Sequence, residues 1–153
     1  MKPGSFTQLY VQLVFAVQYR ENLLVKSIRP HIFEYIGGII KGMKHKALIV
    51  NGVADHVHIL LGLNPSVSIS DTVHDIKRSS SLFINNNNLI SGRFSWQSGY
   101  GAFSYSRTQI ENVFRYIQNQ EIHHARTSFR QEYISLLEKN DIEYDPRYIF
   151  EFL

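Results

Sequence analysis

The sequence predicts an α+β fold: a ferredoxin-like split βαβ antiparallel sheet with helices on one face and extra helices at the C-terminal end. Three observations carry this. The hydrophobic periods run strand, helix, strand, strand, helix, strand, helix. Residues 1–153 make one domain's worth of chain, with no internal repeat and no linker long enough to divide it. One segment, VADHVHILLGL, is apolar enough for a central strand yet places His56 and His58 either side of Val57.

LYVQLVFAVQYR, Leu9 to Arg20, alternates in part and is rich in valine and aromatics, which predicts the first strand. Pro30 then stands where a first-turn proline belongs, and Ile32, Ile36, Ile39, Ile40 and Met43 form the apolar stripe of an amphipathic helix. After the basic turn KHK come two strands, ALIVNGV and HVHILLGL, with Asn51-Gly52 predicted as the hairpin turn between them. Asn64 and Pro65 end the hairpin. Ser68 to Ile84 reads as a helix with serines and Asp71 to cap it, and Asn85 to Asn88 as a loop. FSWQSGYGAFSYS predicts a strand bent at Gly99 and Gly101. Ser106 with Gln109, or Thr108 with Glu111, offers a capping box for one helix from about Arg107 to Ala125. A further helix, SFRQEYISLLEKN, and a tail, IEYDPRYIFEFL, complete the chain.

Composition narrows the chemistry. With 44% hydrophobic and 19% charged residues the chain is of the ordinary soluble globular kind. The absence of cysteine excludes disulfides, thiolate metal sites and cysteine nucleophiles, and fits a reducing cytoplasm. No apolar run approaches the roughly 20 residues of a membrane span, and the start MKPGSFTQLY lacks the pattern of a secretory signal, so a cytoplasmic protein away from the membrane is expected. A net charge of +3 leans towards an anionic partner without identifying one.

Residues i and i+2 of a strand share a face, so His56 and His58 project side by side while Val57 and Ile59 point the other way. That geometry suits two ligands of one metal ion. The remaining partners should lie on the surface that faces this strand, and ENVFRYIQNQEIHHAR is the candidate. Tyr116 and Gln120 are four residues apart, one turn along one helical face, and His123 and His124 continue roughly that stripe. A phenol is a feeble nucleophile at neutral pH. A divalent cation would polarise a phosphodiester for in-line attack by Tyr116, with Gln120 as a neutral oxygen ligand. His123 or His124 could serve as the base, and either could replace or supplement Gln120 at the metal.

DHVHIL, with YIQNQ some sixty residues later in a chain of this size, resembles the HUH endonucleases, in which two histidines flank a bulky hydrophobic residue. More narrowly, the chain is similar to the single-tyrosine, insertion-sequence-200-like transposases of bacterial and archaeal insertion sequences. The resemblance implies a transposase that cuts and rejoins single-stranded DNA through a 5′-phosphotyrosine, freeing a 3′-hydroxyl. It implies Tyr116 as nucleophile, His56, His58 and Gln120 as metal ligands, and Mg²⁺ or Mn²⁺ as the metal. It also implies a homodimer in which the tyrosine helix of one subunit completes the histidine site of the other, and recognition of DNA hairpins near the element ends.

Plainer readings stand beside these. The histidine pair could be half-buried and satisfied by hydrogen bonds, Tyr116 a core aromatic, and Gln120 a solvated helix residue. Lys77 and Arg78 could contact phosphates or only water, and Trp96 could stack an unpaired base or fill the core. Two other functions use the same residues: a catalytically silent nucleic-acid-binding domain, which has no need of Tyr116, and a zinc hydrolase, which needs His123 or His124 at the metal with Gln120 aside.

Overall fold

The computed structural model describes residues 4–149; Met1 to Pro3 and the last four residues of the predicted tail, Phe150 to Leu153, lie outside them. The elements are β1 (Tyr10–Ala16), α1 (Arg29–Gly42), β2 (Lys46–Val53), β3 (His56–Gly62), α2 (Ile69–Asn86), β4 (Gly101–Tyr105), α3 (Ile110–Gln118), α4 (Gln120–His124) and α5 (Phe129–Lys139). The four strands form one antiparallel sheet in the order β2-β3-β1-β4. β1 and β3 are therefore central neighbours although α1 and β2 separate them in sequence, which is the predicted split βαβ topology. No helix of the described residues is long and apolar enough to cross a membrane.

The sheet has two buried faces. On one, Val11, Leu13 and Phe15 of β1 and Val57, Ile59 and Leu61 of β3 pack with Ile32, Ile36 and Ile40 of α1 and Val73 and Ile76 of α2. The amphipathic stripes of both helices close this main core. On the other face lies a smaller cluster, in which Val14, Ala16 and Phe103 meet Phe129, Leu136 and Leu137 of α5. α3 and α4 lie against β2 beside it. The C-terminal helices thus cover the face onto which His56 and His58 project.

Helix starts follow the sequence. The Ser68 hydroxyl accepts from the Asp71 amide 3.0 Å away, and capping boxes pair Ser106 with Gln109 and Ser128 with Gln131. Pro30 sits in the first turn of α1.

Five expectations change in detail. The first strand ends at Ala16, because Tyr19 (φ 58°) and Arg20 (φ 52°) turn into the left-handed region, which no strand continues through. Asn51-Gly52 is not the hairpin turn: the two residues stay in β2, paired with His58 and Val57, and Ala54 and Asp55 make the turn. Glycine is needed at 52 for close approach, since an added Cβ would run into the His56 carbonyl. Phe94 to Ser106 is not one strand. Gly99 (φ 88°) breaks it, leaving β4 and an isolated pair between Val17 and Trp96. The loop at Asn85 to Asn88 is shorter than expected, as Asn85 and Asn86 belong to α2 and the Asn85 carboxamide bonds the Phe94 backbone.

The fifth change bears on the site. The helix expected from Arg107 to Ala125 is a short 3₁₀ turn followed by α3 and α4, broken at Asn119 (φ −97°, ψ 25°). The Asn51 carboxamide explains the break. Its Nδ2 donates to the carbonyls of Ile117 at 2.9 Å and Gln118 at 3.2 Å, the acceptors that a continuing helix would have used itself. A side chain of the sheet therefore ends the tyrosine helix and pins it.

Candidate metal and tyrosine site

β3 is central, so both histidines are fully buried, with ring centroids 5.2 Å apart. Burial obliges each ring nitrogen to find a partner. His56 Nδ1 is 2.7 Å from Asp55 Oδ1, and its Nε2 is 3.2 Å from Gln120 Oε1 and 3.3 Å from Glu132 Oε1. Phe129 stacks on the imidazole with a centroid separation of 3.9 Å. His58 Nδ1 accepts from Gln12 Nε2 at 2.9 Å, and His58 Nε2 lies 3.0 Å from Glu132 Oε1. The Tyr105 hydroxyl in turn donates to Gln12 Oε1 at 2.7 Å, so an aromatic of β4 holds the amide that holds the ring.

Glu132, in α5, is the hub. His124 Nε2 is 2.9 Å from the same Oε1 that faces His56 and His58. The second oxygen, Oε2, accepts from the Tyr116 hydroxyl and from Gln120 Nε2 at 3.1 Å. One buried carboxylate thus joins every expected catalytic and metal-site residue except His123. His123 packs on the Tyr116 ring instead, with centroids 4.5 Å apart. Tyr116 and Gln120 stand on different helices, yet the break between α3 and α4 still leaves both side chains on Glu132.

The electrostatics follow from this packing. Burial works to raise the Glu132 carboxyl, but hydrogen bonds from His124, His56 and His58 prevail and hold it well below the usual carboxylate range. Burial works to lower His56, but Asp55 and Glu132 keep it above its ordinary value. For His58 burial wins, and its pKa is lowered. The Tyr116 phenol is pushed up, first by burial and then by the Glu132 charge, so Glu132 favours the neutral phenol.

The nitrogens of His56, His58 and His124 and a Glu132 oxygen all lie within 4.8 Å of one another and could hold a metal ion. Imidazole nitrogens with one carboxylate are an ordinary donor set for a divalent transition metal, so of the two ions that the sequence implies the residues fit Mn²⁺ better than Mg²⁺.

Glu132 has no part in the sequence reading, although a signal existed. Phe129, Glu132 and Leu136 are spaced as one helical stripe, and a carboxylate on an apolar stripe needs a buried partner. Lys77 and Trp96 are not brought to the site. The Lys77 ammonium donates to the carbonyls of Gln97 (2.8 Å) and Gly99 (2.6 Å), and burial lowers its pKa to about 8. Trp96 is buried between Phe15 and Phe94, with its indole N–H on Ser80 Oγ at 2.9 Å, so it has no free face for a base. Arg78 is exposed on α2 and apart from the cluster.

Known proteins share this arrangement of strands and helices. The ISDra2 transposase TnpA of Deinococcus radiodurans is 25% identical over 122 residues, which are 76% of this chain and 87% of that protein. Among solved structures, a Deinococcus radiodurans R1 protein assigned as a transposase superposes with a TM-score of 0.62 at 23% identity, over 78% of this chain and 96% of that one. A REP-associated tyrosine transposase bound to a REP hairpin superposes with a TM-score of 0.60 at 13% identity, over 83% of this chain and 76% of that one. At these identities the two structures speak for the fold alone. The model of the family described as "Transposase IS200 like" matches residues 5–120, most of the 153, and the chain belongs to that family.

Proposed function

We propose that this single-domain chain is a metal-dependent single-stranded DNA endonuclease and strand transferase that works through Tyr116 during transposition of an insertion sequence. The observation that carries the reading is the convergence of the Tyr116 hydroxyl and three imidazoles on one buried carboxylate, which brings nucleophile and metal donors into one site. His56, His58 and Gln120 would hold Mg²⁺ or Mn²⁺, which when bound polarises the phosphodiester and neutralises charge building on its oxygens.

The chain's own groups do the rest. The phenolic oxygen of Tyr116 bonds to phosphorus, the bond from phosphorus to the 3′-oxygen breaks, the phenol proton leaves and the 3′-oxygen takes up a proton. The products are a 5′-phosphotyrosine and a free 3′-hydroxyl, and the reverse reaction with another 3′-hydroxyl rejoins the strand. Asp55 and Gln12 hold the outer nitrogens of the two histidines and fix the rings. Asn51 fixes the end of α3 and with it the position of Tyr116.

The tyrosine and the histidines meet within one chain, with the Tyr116 and His58 centroids 6.1 Å apart, which supports a site completed in cis. A homodimer sharing its sites between subunits is the alternative. Mixing Tyr116→Phe with His58→Ala protein distinguishes them: a shared site regains activity in the mixture, and a cis site does not. The solved relative carrying a REP hairpin supports single-stranded DNA with a hairpin as the partner.

The zinc hydrolase reading is favoured by one observation, His124 beside the pair, but Gln120 has not moved aside. The deciding test is a denaturing gel of the protein with labelled single-stranded DNA from both flanks of its gene, with Mg²⁺ or Mn²⁺. A protein-linked band lost in Tyr116→Phe and in chelator is expected. A band that survives Tyr116→Phe moves the nucleophile elsewhere, and DNA retained on a native gel without any covalent band points to a binding module.

A further inference from the structure

We propose that His124 and Glu132 are themselves metal ligands, so that the chain holds a divalent transition-metal ion on His56, His58, His124 and Glu132 in preference to Mg²⁺. The inference rests on the metal-dependent reading of this site, keeps His56 and His58, and puts His124 and Glu132 in the place of Gln120. Both lie beyond residues 5–120, the segment that matches the family model: His124 ends α4 and Glu132 is in α5.

The geometry carries the assignment. Glu132 Oε1 is 3.3, 3.0 and 2.9 Å from the Nε2 atoms of His56, His58 and His124. All four ligand atoms lie within 4.8 Å of one another, near enough for small side-chain adjustments to bring them onto one ion. A hydrogen-bonded carboxylate inside a protein is satisfied by one or two donors per oxygen. Here three imidazoles from two separate parts of the chain aim the same nitrogen at a single oxygen. The outer nitrogen of His56 is held by the Asp55 carboxylate, the arrangement that turns the opposite ring nitrogen towards a metal.

The donor set decides the ion. Mg²⁺ prefers oxygen ligands and keeps its waters, and three imidazoles serve it poorly. Zinc, cobalt and manganese accept nitrogen, and one carboxylate against a doubly charged ion leaves positive charge for a phosphate. Glu132 Oε2 meanwhile binds the Tyr116 hydroxyl, so the same side chain positions the nucleophile beside the metal.

The test is a titration of metal-stripped full-length protein with Co²⁺, followed by calorimetry and by the visible spectrum. Binding of one ion that survives about a hundredfold excess of Mg²⁺ is expected. His124→Ala and Glu132→Gln should each weaken it by about tenfold or more and alter the visible band, while circular dichroism stays native. Equal Co²⁺ affinity and spectra in wild type, His124→Ala and Glu132→Gln, with loss only in His56→Ala, would overturn the inference and leave the phosphotyrosine reading intact. Displacement of Co²⁺ by equimolar Mg²⁺ would overturn the stated preference. A protein that binds Co²⁺ through all four residues yet forms no DNA adduct would support the ligand set and remove the nuclease reading.

Discussion

β3 buries both of its faces by different means. Val57, Ile59 and Leu61 pack into the main hydrophobic cluster, and shape and area hold them. His56 and His58, on the same strand and equally inaccessible, are held by a network that runs through Asp55, Gln12, Gln120, His124 and Glu132. The first face tolerates any well-fitting hydrophobe. The second works only when every member is present, because a buried polar atom without a partner costs about 1 to 3 kcal/mol. The contrast shows why the site is made of few residues and why these come from five different elements.

The comparison can be broken or sharpened by substitution. The largest effect is expected at the polar face. Tyr116→Phe should reduce covalent adduct by at least about a thousandfold while leaving denaturant stability nearly unchanged, read on denaturing gels and urea titrations. Ile59→Ala should do the opposite, lowering stability by about 3 kcal/mol by opening a cavity, with metal affinity in the folded protein retained. Glu132→Ala, in chelator, should cost about 2 kcal/mol, since three imidazoles and a phenol lose their shared acceptor. A neutral result there would show that the network is not what holds the second face. Asn51→Ala should cost about 1 kcal/mol and lower adduct yield further than that loss accounts for, because α3 is released at its tyrosine end.

The smallest effect concerns Lys77, on the helix that covers the apolar face. Its pKa is lowered to about 8 by burial, from 10.5. Between those values the unfolded chain binds more protons than the folded one, so this residue makes stability rise as pH increases through that window. Subtracting the urea midpoints of Lys77→Met from those of wild type across the window should isolate the rise, and a flat difference would show that its bonds to Gln97 and Gly99 are formed equally well by the charged group at no desolvation cost.

Much of this was legible in the sequence. Alternation and stripes located the strands and helices, and the i, i+2 spacing put His56 and His58 on one face. Capping serines marked the starts of two helical segments. Misreadings gathered where a local signal had a non-local use. Asn51-Gly52 has the composition of a turn, but Gly52 is there for close approach to β3 and Asn51 to cap a helix 66 residues away. Trp96 has the composition of a base-stacking residue, but its indole closes on α2.

By itself the sequence determined the split βαβ order, the histidine face and the pairing of a tyrosine with a glutamine, because these depend on short-range period and spacing. Only the tertiary structure decided that α3 stops at Asn119, that Glu132 lies beside the histidines, and that the Tyr116 hydroxyl bonds the same carboxylate. Each of these is a contact between side chains far apart in sequence. Periodicity states which face a residue shares with its neighbours, and only packing states what that face meets.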